Sequence, residues 1–314
     1  MGKLAFVFPG QGSQYVGMGI DIANNFPQAR EIFNQADQKL GYSLSNICFN
    51  GPEDKLRLTI HTQPALLTTS IACFEIIKGE GFTPDLVAGH SLGEFSALVA
   101  AQSLGFTDGV WLVGERGRFM QEAVPPGEGT MAAILGLEID KVKELCESCK
   151  DKGVVEPANY NCPGQIVIAG ETPAVEKAIS IAKDFGAKRA MLLSVSGPFH
   201  SSLLAPAGTK LAHAIESITI KNPVVPLVAN VSAELVFSAE KIKEGLVAQV
   251  SSSVMWQQSV EKMIEQGVTT FVEIGAGKVL TGLIKKINKQ VKTFNVEDTA
   301  SLKETIEGLK EGVK

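Results

Sequence analysis

Gly89-His90-Ser91-Leu92-Gly93 is the stretch that most restricts how this 314-residue chain can fold. A short apolar run, Leu86-Val87-Ala88, precedes it after Thr83-Pro84-Asp85 and reads as a buried strand; Glu94 to Ala101 follows and reads as a helix of good formers. Strand, G-x-S-x-G and helix together are the context of a nucleophile elbow, a sharp turn that lifts a serine hydroxyl above a helix N-terminus. The flanking glycines are needed because a Cβ there would collide with the neighbouring strand and helix. At such a turn the N–H of Leu92 and the positive end of the helix dipole can stabilise an oxyanion. In a chain with 31 glycines the pentapeptide could also arise by chance; its placement between a strand and a helix argues for the elbow.

The chain is long enough for one large domain or two and for a substantial core. With 45% apolar and 20% charged residues it has the balance of a soluble globular enzyme, and a net charge of −5 argues against general nucleic-acid binding. Five cysteines, an odd number scattered along the chain, do not make a disulfide framework and fit a reducing compartment. The run Leu4 to Phe8 is too short for a signal segment and nothing approaches a membrane span, so a cytoplasmic location is expected.

Leu4 to Phe8 reads as a first strand, ending in Pro9-Gly10-Gln11-Gly12-Ser13-Gln14, where Gln11 is either a plain turn residue or an oxyanion donor beside Ser91. Helices are expected from Asn24 to Lys39, from Gln63 to Lys78 with Pro64 near its start, and from Thr107-Asp108 to Ala123. From Thr130 to Leu193 the pattern becomes strand 131–135, helix from Asp140 to Lys150, strands 154–156 and 165–169 joined by a loop over Asn159–Gly164, helix Thr172 to Phe185 with Glu176 near a capping-box position, and strand 188–193. That β-α-β-β-α-β order is the order of a ferredoxin-like module inserted into a larger unit. The expected domains are therefore a discontinuous core of residues 1–126 and 195–314, with a small domain over 127–194. Cys146-x-x-Cys149 within it has no second pair or histidine nearby and reads as structural thiols, not a metal site. Beyond it come a loop Ser194–His200, a helix from Ser201 to Glu216, a strand Pro223 to Ala229, helical pieces on either side of Gln249 to Trp256, and a strand 269–274. Gly275-Ala276-Gly277-Lys278 lacks nucleotide-loop spacing and reads as a tight strand-to-helix turn, while the Lys/Glu-rich end after Glu297 is expected to fray.

A serine needs a base, and the chain has four histidines. His90 adjoins Ser91 but should point away; His213 reads as solvated and His61 as a packing or capping residue. His200, presented by Gly197-Pro198-Phe199 at a helix start, is the best candidate. No acid stands on a core-strand loop between Ser91 and His200, which disfavours a hydrolase triad and favours a dyad whose histidine is oriented by a backbone carbonyl. On the helix to Ala123, Arg116 interrupts the apolar stripe of Leu112, Phe119 and Met120, whereas Arg118 has Glu122 at i+4. A guanidinium on that stripe needs an anion: from spacing alone, first a carboxylate of the protein, and second one on a substrate.

Pro9-Gly10-Gln11-Gly12-Ser13-Gln14, Gly89-His90-Ser91-Leu92-Gly93-Glu94, Arg116-Gly117, Asn159-Tyr160-Asn161-x-Pro163-Gly164-Gln165, Gly197-Pro198-Phe199-His200-Ser201 and Glu273-Ile274-Gly275-x-Gly277-Lys278-Val279-Leu280 together resemble the malonyl-CoA:acyl carrier protein transacylases of fatty-acid synthesis, over the whole chain in order. The resemblance implies an α/β-hydrolase-like core with a parallel sheet plus the inserted small domain. It implies Ser91 as nucleophile, His200 as general acid/base, Gln11 and Leu92 as oxyanion donors, and Arg116 as the malonyl carboxylate's partner. Asn159 and Asn161 would line the site, and the carbonyl of Gln249 would orient His200. Phe95 stands where many relatives carry Tyr. The implied partners are malonyl-CoA and acyl carrier protein, with no metal or redox cofactor, no nucleic acid and no membrane, and the protein is expected to act as a monomer. Lys188, Arg189, Lys285 and Lys286 are candidate contacts for an acidic carrier, though each pair reads equally well as solvated charge. A serine hydrolase or thioesterase is the competing reading; it would share the elbow but need no carboxylate clamp.

Overall fold

The computed structural model describes residues 2–311. Its strands are β1 Lys3–Phe8, β2 Leu86–Gly89, β3 Gly129–Leu135, β4 Val155–Cys162, β5 Gln165–Glu171, β6 Arg189–Leu192, β7 Leu227–Val228, β8 Leu235–Val236, β9 Val268–Ile274 and β10 Lys292–Val296. They form two sheets. The first runs β10-β9-β1-β2-β7-β8, parallel except where β8 turns back on β7. Ala5 to Phe8 and Leu86 to Gly89 are buried along their whole length, as continuous apolar strands covered on both faces must be. The second sheet runs β4-β5-β3-β6 and is antiparallel throughout. Helices Ile139–Glu147 and Thr172–Ile181 separate its strands in the expected β-α-β-β-α-β order, and they enclose a core of their own around Ile134, Val142, Ile168 and Ala178.

Helix Thr59–Gly79 is apolar nearly all round, so it is buried, and it packs against helix Phe106–Ala123. It starts earlier than expected, which leaves Pro64 inside it rather than near its first residue. The added turn is closed by Leu58, whose carbonyl accepts from His61 N and Thr62 N at 2.8 Å each, while the Thr62 hydroxyl donates to Leu56 O at 2.6 Å. The helix expected over 24–39 is two, Ile20–Asn25 and Pro27–Leu40, because Phe26 before Pro27 is pushed to an extended conformation with φ −130°.

The loop expected over Asn159–Gly164 is instead mostly strand. β4 continues to Cys162 and the turn is only Pro163-Gly164, with Gly164 at φ 71°, a value glycine adopts without strain. Pairing on both sides overrides the turn-like composition: β5 lies on one edge, and on the other Tyr160 N donates to Val254 O at 2.9 Å and Val254 N to Ala158 O at 2.8 Å. The strand expected from Pro223 to Ala229 shrinks to Leu227–Val228, since Pro223 and Pro226 offer no N–H to a ladder. Neither Ile139–Glu147 nor Thr172–Ile181 has a side-chain cap: Asp140 lies inside the first turn of the former, and Glu176 closes no capping box on the latter. The first of these helices ends at Glu147, with a short 3₁₀ turn at Lys150–Lys152, and the second stops at Ile181. Glu171, just before the second, accepts instead from Val154 N at 2.6 Å.

The end expected to fray forms helix Thr299–Glu311, anchored by buried Leu302 and Leu309 and by Thr299 N donating to Asp21 Oδ2 at 2.7 Å. β8 and β10 have no counterpart in the sequence reading. All five cysteines are buried thiols, and no helix among the described residues is long and apolar enough to cross a membrane.

Candidate active site

β2 ends at Gly89 and the elbow helix begins at Gly93, so Ser91 occupies the turn with φ 51°, a left-handed value costly for a side-chain residue. The glycines permit it: a Cβ on Gly89 would come within 1.9 Å of Gly93 C, and one on Gly93 within 2.0 Å of Phe8 O. Asn230 pins the turn, its Oδ1 accepting from Ser91 N at 2.6 Å and its Nδ2 donating to Gly89 O at 2.6 Å. The Leu92 N–H, one residue on, donates to no group among the described residues and stays open to an incoming oxygen.

His200 stands opposite, also left-handed at φ 62°, on a loop held by Ser201 Oγ donating to Pro198 O at 2.7 Å. Its Nε2 lies 2.7 Å from Ser91 Oγ and its Nδ1 2.8 Å from Gln249 O. A carbonyl only accepts, so Nδ1 carries the ring proton and Nε2 offers its lone pair to the serine hydroxyl. Burial, reinforced by the nearby Arg116 charge, holds His200 far below the ordinary histidine range, down to about 3. The ring is therefore a neutral base at physiological pH. The group behind it is a backbone carbonyl; among the described residues no carboxylate completes a triad.

Arg116 is 1% exposed and its guanidinium reaches the same hydroxyl, Nη2 lying 3.2 Å from Ser91 Oγ. Its other partners are neutral amides: Nη1 donates to Gln63 Oε1 and Nη2 to Gln249 Oε1, each at 2.9 Å, with the Phe95 ring face 5.4 Å away. The internal ion pair expected first from spacing is not formed, because these amides stand where the carboxylate was expected. Burial lowers Arg116 to about 10, which leaves it charged at neutral pH. A buried cation whose acceptors are two amides and the nucleophile's own hydroxyl is equipped to hold an anionic substrate group.

Gln11 lies on the same cavity, but its side-chain amide is turned to Thr59 Oγ1 at 3.3 Å; its backbone N–H donates to no group among the described residues. Asn159 and Asn161 enter from β4, and Asn161 Oδ1 is 2.8 Å from His90 Nε2, so the two sheets meet at the elbow. His90 indeed points away from Ser91, towards Asn161 and the Trp256 ring. His61 is bound to Tyr42 Oη at 3.1 Å and His213 is solvent-exposed; neither reaches the serine. Lys285 and Lys286 end the helix Val279–Ile287, whose first turn borders the cavity, and Lys286 Nζ is 3.3 Å from Gln165 Oε1 on the cavity wall. Lys188 and Arg189 are exposed at the start of β6.

Three residues of the site carried no role in the sequence reading: Gln63, Glu94 and Asn230. Glu94, pushed up to about 7 by burial, accepts from Asn230 N at 3.0 Å and from Gln249 Nε2 at 2.7 Å beneath the elbow. Its signal was a lone carboxylate in a helix otherwise apolar or small; Gln63 likewise interrupts the apolar helix Thr59–Gly79. Asn230 has no comparable mark.

The acyl transferase domain family matches residues 5–310. A malonyl CoA-acyl carrier protein transacylase of Bacillus subtilis is 51% identical over 312 residues, which is 99% of this chain and 98% of the relative. Among solved structures, the Clostridium perfringens transacylase of the same name superposes with a TM-score of 0.95 at 46% identity, covering 98% of each chain. A malonyl-transacylase solved in complex with a type II PKS acyl-carrier protein also gives 0.95 at 46% identity, covering 98% of this chain and 99% of that one. Each of these matches spans both sheets and all the residues of the site, and the chain belongs to the malonyl-CoA:acyl carrier protein transacylase family of acyl transferases.

Proposed function

We propose that the protein transfers a malonyl group from malonyl-CoA to the phosphopantetheine thiol of an acyl carrier protein through a malonyl-Ser91 ester. His200 Nε2 takes the hydroxyl proton as Ser91 Oγ attacks the thioester carbonyl. The N–H groups of Leu92 and Gln11 receive the oxyanion, and the CoA thiolate departs with the proton from His200. The carrier thiol then gives its proton to His200 and attacks the ester, and Ser91 regains a proton from His200 as it leaves. Gln249 O keeps the ring in the working tautomer in both half-reactions. Arg116 holds the malonyl carboxylate, and Asn159 and Asn161 border the acyl group from the second sheet.

The observation that carries this reading is the charged guanidinium 3.2 Å from the nucleophile without a carboxylate partner among the described residues. A hydrolase that accepts uncharged acyl groups has no use for it. The strand order supports describing the parallel-sheet unit, 1–126 and 195–314, as an α/β-hydrolase-like core and 127–194 as a ferredoxin-like domain. Every group in the mechanism comes from one chain, which favours a monomer, and none calls for a metal or redox cofactor. The carrier is assigned to fatty-acid synthesis in the cytoplasm; a polyketide carrier, as in one relative's complex, is the alternative.

Intact-mass measurement after mixing with malonyl-CoA tests the reading. The wild type gains one malonyl adduct that a carrier thiol discharges, and Ser91→Ala gains none while keeping its melting temperature. An adduct at wild-type stoichiometry on Ser91→Ala would place the nucleophile elsewhere.

A further inference from the structure

Glu94 takes no part in the transfer steps, yet it is 2% exposed in the first turn of the elbow helix, directly under Ser91. A buried carboxylate is costly unless it is well hydrogen-bonded or faces a cation. Here the cation is reached only through an intermediary: Glu94 Oε2 accepts from Gln249 Nε2 at 2.7 Å, and Gln249 Oε1 accepts from Arg116 Nη2 at 2.9 Å. Gln249 Nε2 also lies 3.3 Å from Ser91 O and 3.3 Å from Asn230 Oδ1, both acceptors. Every group around that nitrogen thus accepts, and the group facing the oxygen donates.

The two ends of an amide have nearly the same shape and opposite hydrogen-bonding character. Oε2 of Glu94 accepts from two N–H donors, and although burial lifts the group to about 7, its ionised form, which grows as pH rises above that value, accepts only; it draws the NH₂ end of Gln249 and leaves the oxygen to Arg116. In the reversed orientation the NH₂ would meet the guanidinium donor to donor and displace it. Direct contact of Glu94 with Arg116 would fail differently, because the carboxylate would occupy the fork that a substrate needs. One amide between them lets the charges balance while the fork stays open.

We propose that Glu94 is a positioning residue for substrate selection: by fixing the amide of Gln249 it anchors one arm of Arg116 and keeps the guanidinium aimed at the carboxylate of an incoming malonyl group. This rests on the reading of Arg116 as the malonyl clamp. Reactivity is served separately, since His200 is held by the backbone carbonyl of Gln249, at 2.8 Å, whichever way the side-chain amide points. Loss of the Glu94 charge therefore damages the choice of acyl group more than the Ser91–His200 pair.

The test is quenched-flow loading of Ser91 from malonyl-CoA and from acetyl-CoA, read by intact mass, in the wild type, Glu94→Gln and Arg116→Ala, each with a thermal melt. Glu94→Gln is nearly isosteric, keeps an oxygen able to accept and removes the charge that fixes the amide. Its malonyl loading efficiency should fall about 10- to 100-fold, chiefly through weaker saturation, with acetyl loading within about threefold of wild type. Equal loss of both acyl groups would make Glu94 structural only, and unchanged malonyl loading would make its charge irrelevant; either overturns the proposal. Arg116→Ala separates the two layers. Selective malonyl loss there, beside proportional loss in Glu94→Gln, defeats the positioning role and leaves the clamp standing, whereas parallel loss in Arg116→Ala removes the clamp and this inference together.

Should Glu94→Gln fail to fold, the exchanged pair Glu94→Gln with Gln249→Glu carries the test. It restores a carboxylate–amide contact but sets the carboxylate against Arg116. Measured against wild type, malonyl loading should stay at least about 10-fold further down than acetyl loading. Wild-type malonyl loading in the exchanged pair would overturn the proposal.

Discussion

Arg116 and Arg118 stand two residues apart on helix Phe106–Ala123, and their surroundings are opposite. Arg118, on the half-exposed side, reaches Glu115 at i−3 and Glu122 at i+4, and these hydrogen-bonded carboxylates raise it well above the usual arginine range. Arg116, on the buried side, meets Gln63, Gln249 and the Ser91 hydroxyl, and burial pulls it down to about 10. Water screens the outer charge, so its ion pairs add little and cost little. Water does not screen the inner one, and the fold gives it dipoles, with the Glu94 carboxylate one amide away and no carboxylate in contact among the described residues. The difference is a measure of purpose: a guanidinium whose charge is already matched can do no further binding, while one surrounded by amides can.

The largest effect should come from the inner arginine. Arg116→Ala should cut malonyl loading of Ser91 by roughly 10⁴-fold or more, as expected when a site loses the group that recognises a substrate's polar end, while acetyl loading falls far less or rises. Arg116→Lys should rescue incompletely, because an ammonium cannot reproduce the planar fork. Malonyl and acetyl loading measured beside a melt decide the matter. Parallel loss with a lowered melting temperature would make Arg116 a structural residue and erase its contrast with Arg118.

The next effect belongs to the base that Arg116 helps to tune. His200→Ala should slow both half-reactions by about 10²–10⁴-fold, and a loss under about tenfold would move the role to another group. Because burial first and the Arg116 charge second lower His200 to about 3, the ring stays neutral as pH falls through 6.5, so acetyl loading should show no histidine-like acid limb near that value. Removing Arg116 takes away one lowering influence, so the acid limb in Arg116→Ala should move to higher pH. An unmoved limb would mean that the guanidinium does not act on His200 electrostatically.

How much of this was legible in the sequence depended on whether a residue's type was anomalous for its position. Ser91 between two glycines, and an arginine on an apolar stripe, are visible anomalies. So is a histidine behind Gly-Pro-Phe. Glu94 was equally anomalous in an apolar helix, but its partners Gln249 and Asn230 come from distant segments that only tertiary folding brings together. Amides have too many ordinary uses for Gln63 or Asn230 to stand out. The antiparallel sheet followed from the β-α-β-β-α-β order and the parallel one from the family resemblance, whereas Asn159–Cys162 became strand by pairing with β5 on one edge and Val254 on the other, and Thr299–Glu311 became a stable helix by docking its apolar side. Local propensity misjudged both because the deciding contacts are non-local.

A smaller effect is expected where the outer surface meets the carrier. Lys285 and Lys286 are exposed at the end of the helix that borders the cavity, and Lys286 touches Gln165 on its wall. Charge reversal at both should weaken carrier-dependent discharge of malonyl-Ser91 by about tenfold and flatten its salt dependence, sparing loading from malonyl-CoA. Lys188 and Arg189, on β6, form the parallel test. Equal damage to both half-reactions would reject either pair as the docking patch.

The smallest effect should come from Arg118 itself. Its two carboxylates are close and its geometry is good, yet Glu122 also holds Lys210 at 2.8 Å, so removing the guanidinium leaves that acid paired. No buried group loses its partner, and the Phe119 ring, 4.7 Å from the guanidinium, keeps Lys210 Nζ at 5.7 Å. Arg118→Ala should therefore shift the melting temperature by about 2 °C or less and leave malonyl and acetyl loading unchanged. The measurement matters because Arg116→Ala removes the same side chain from the same helix. If Arg118→Ala also changed the malonyl-to-acetyl ratio, the helix as a whole would be setting specificity, and the buried position of Arg116 would not be what selects the substrate.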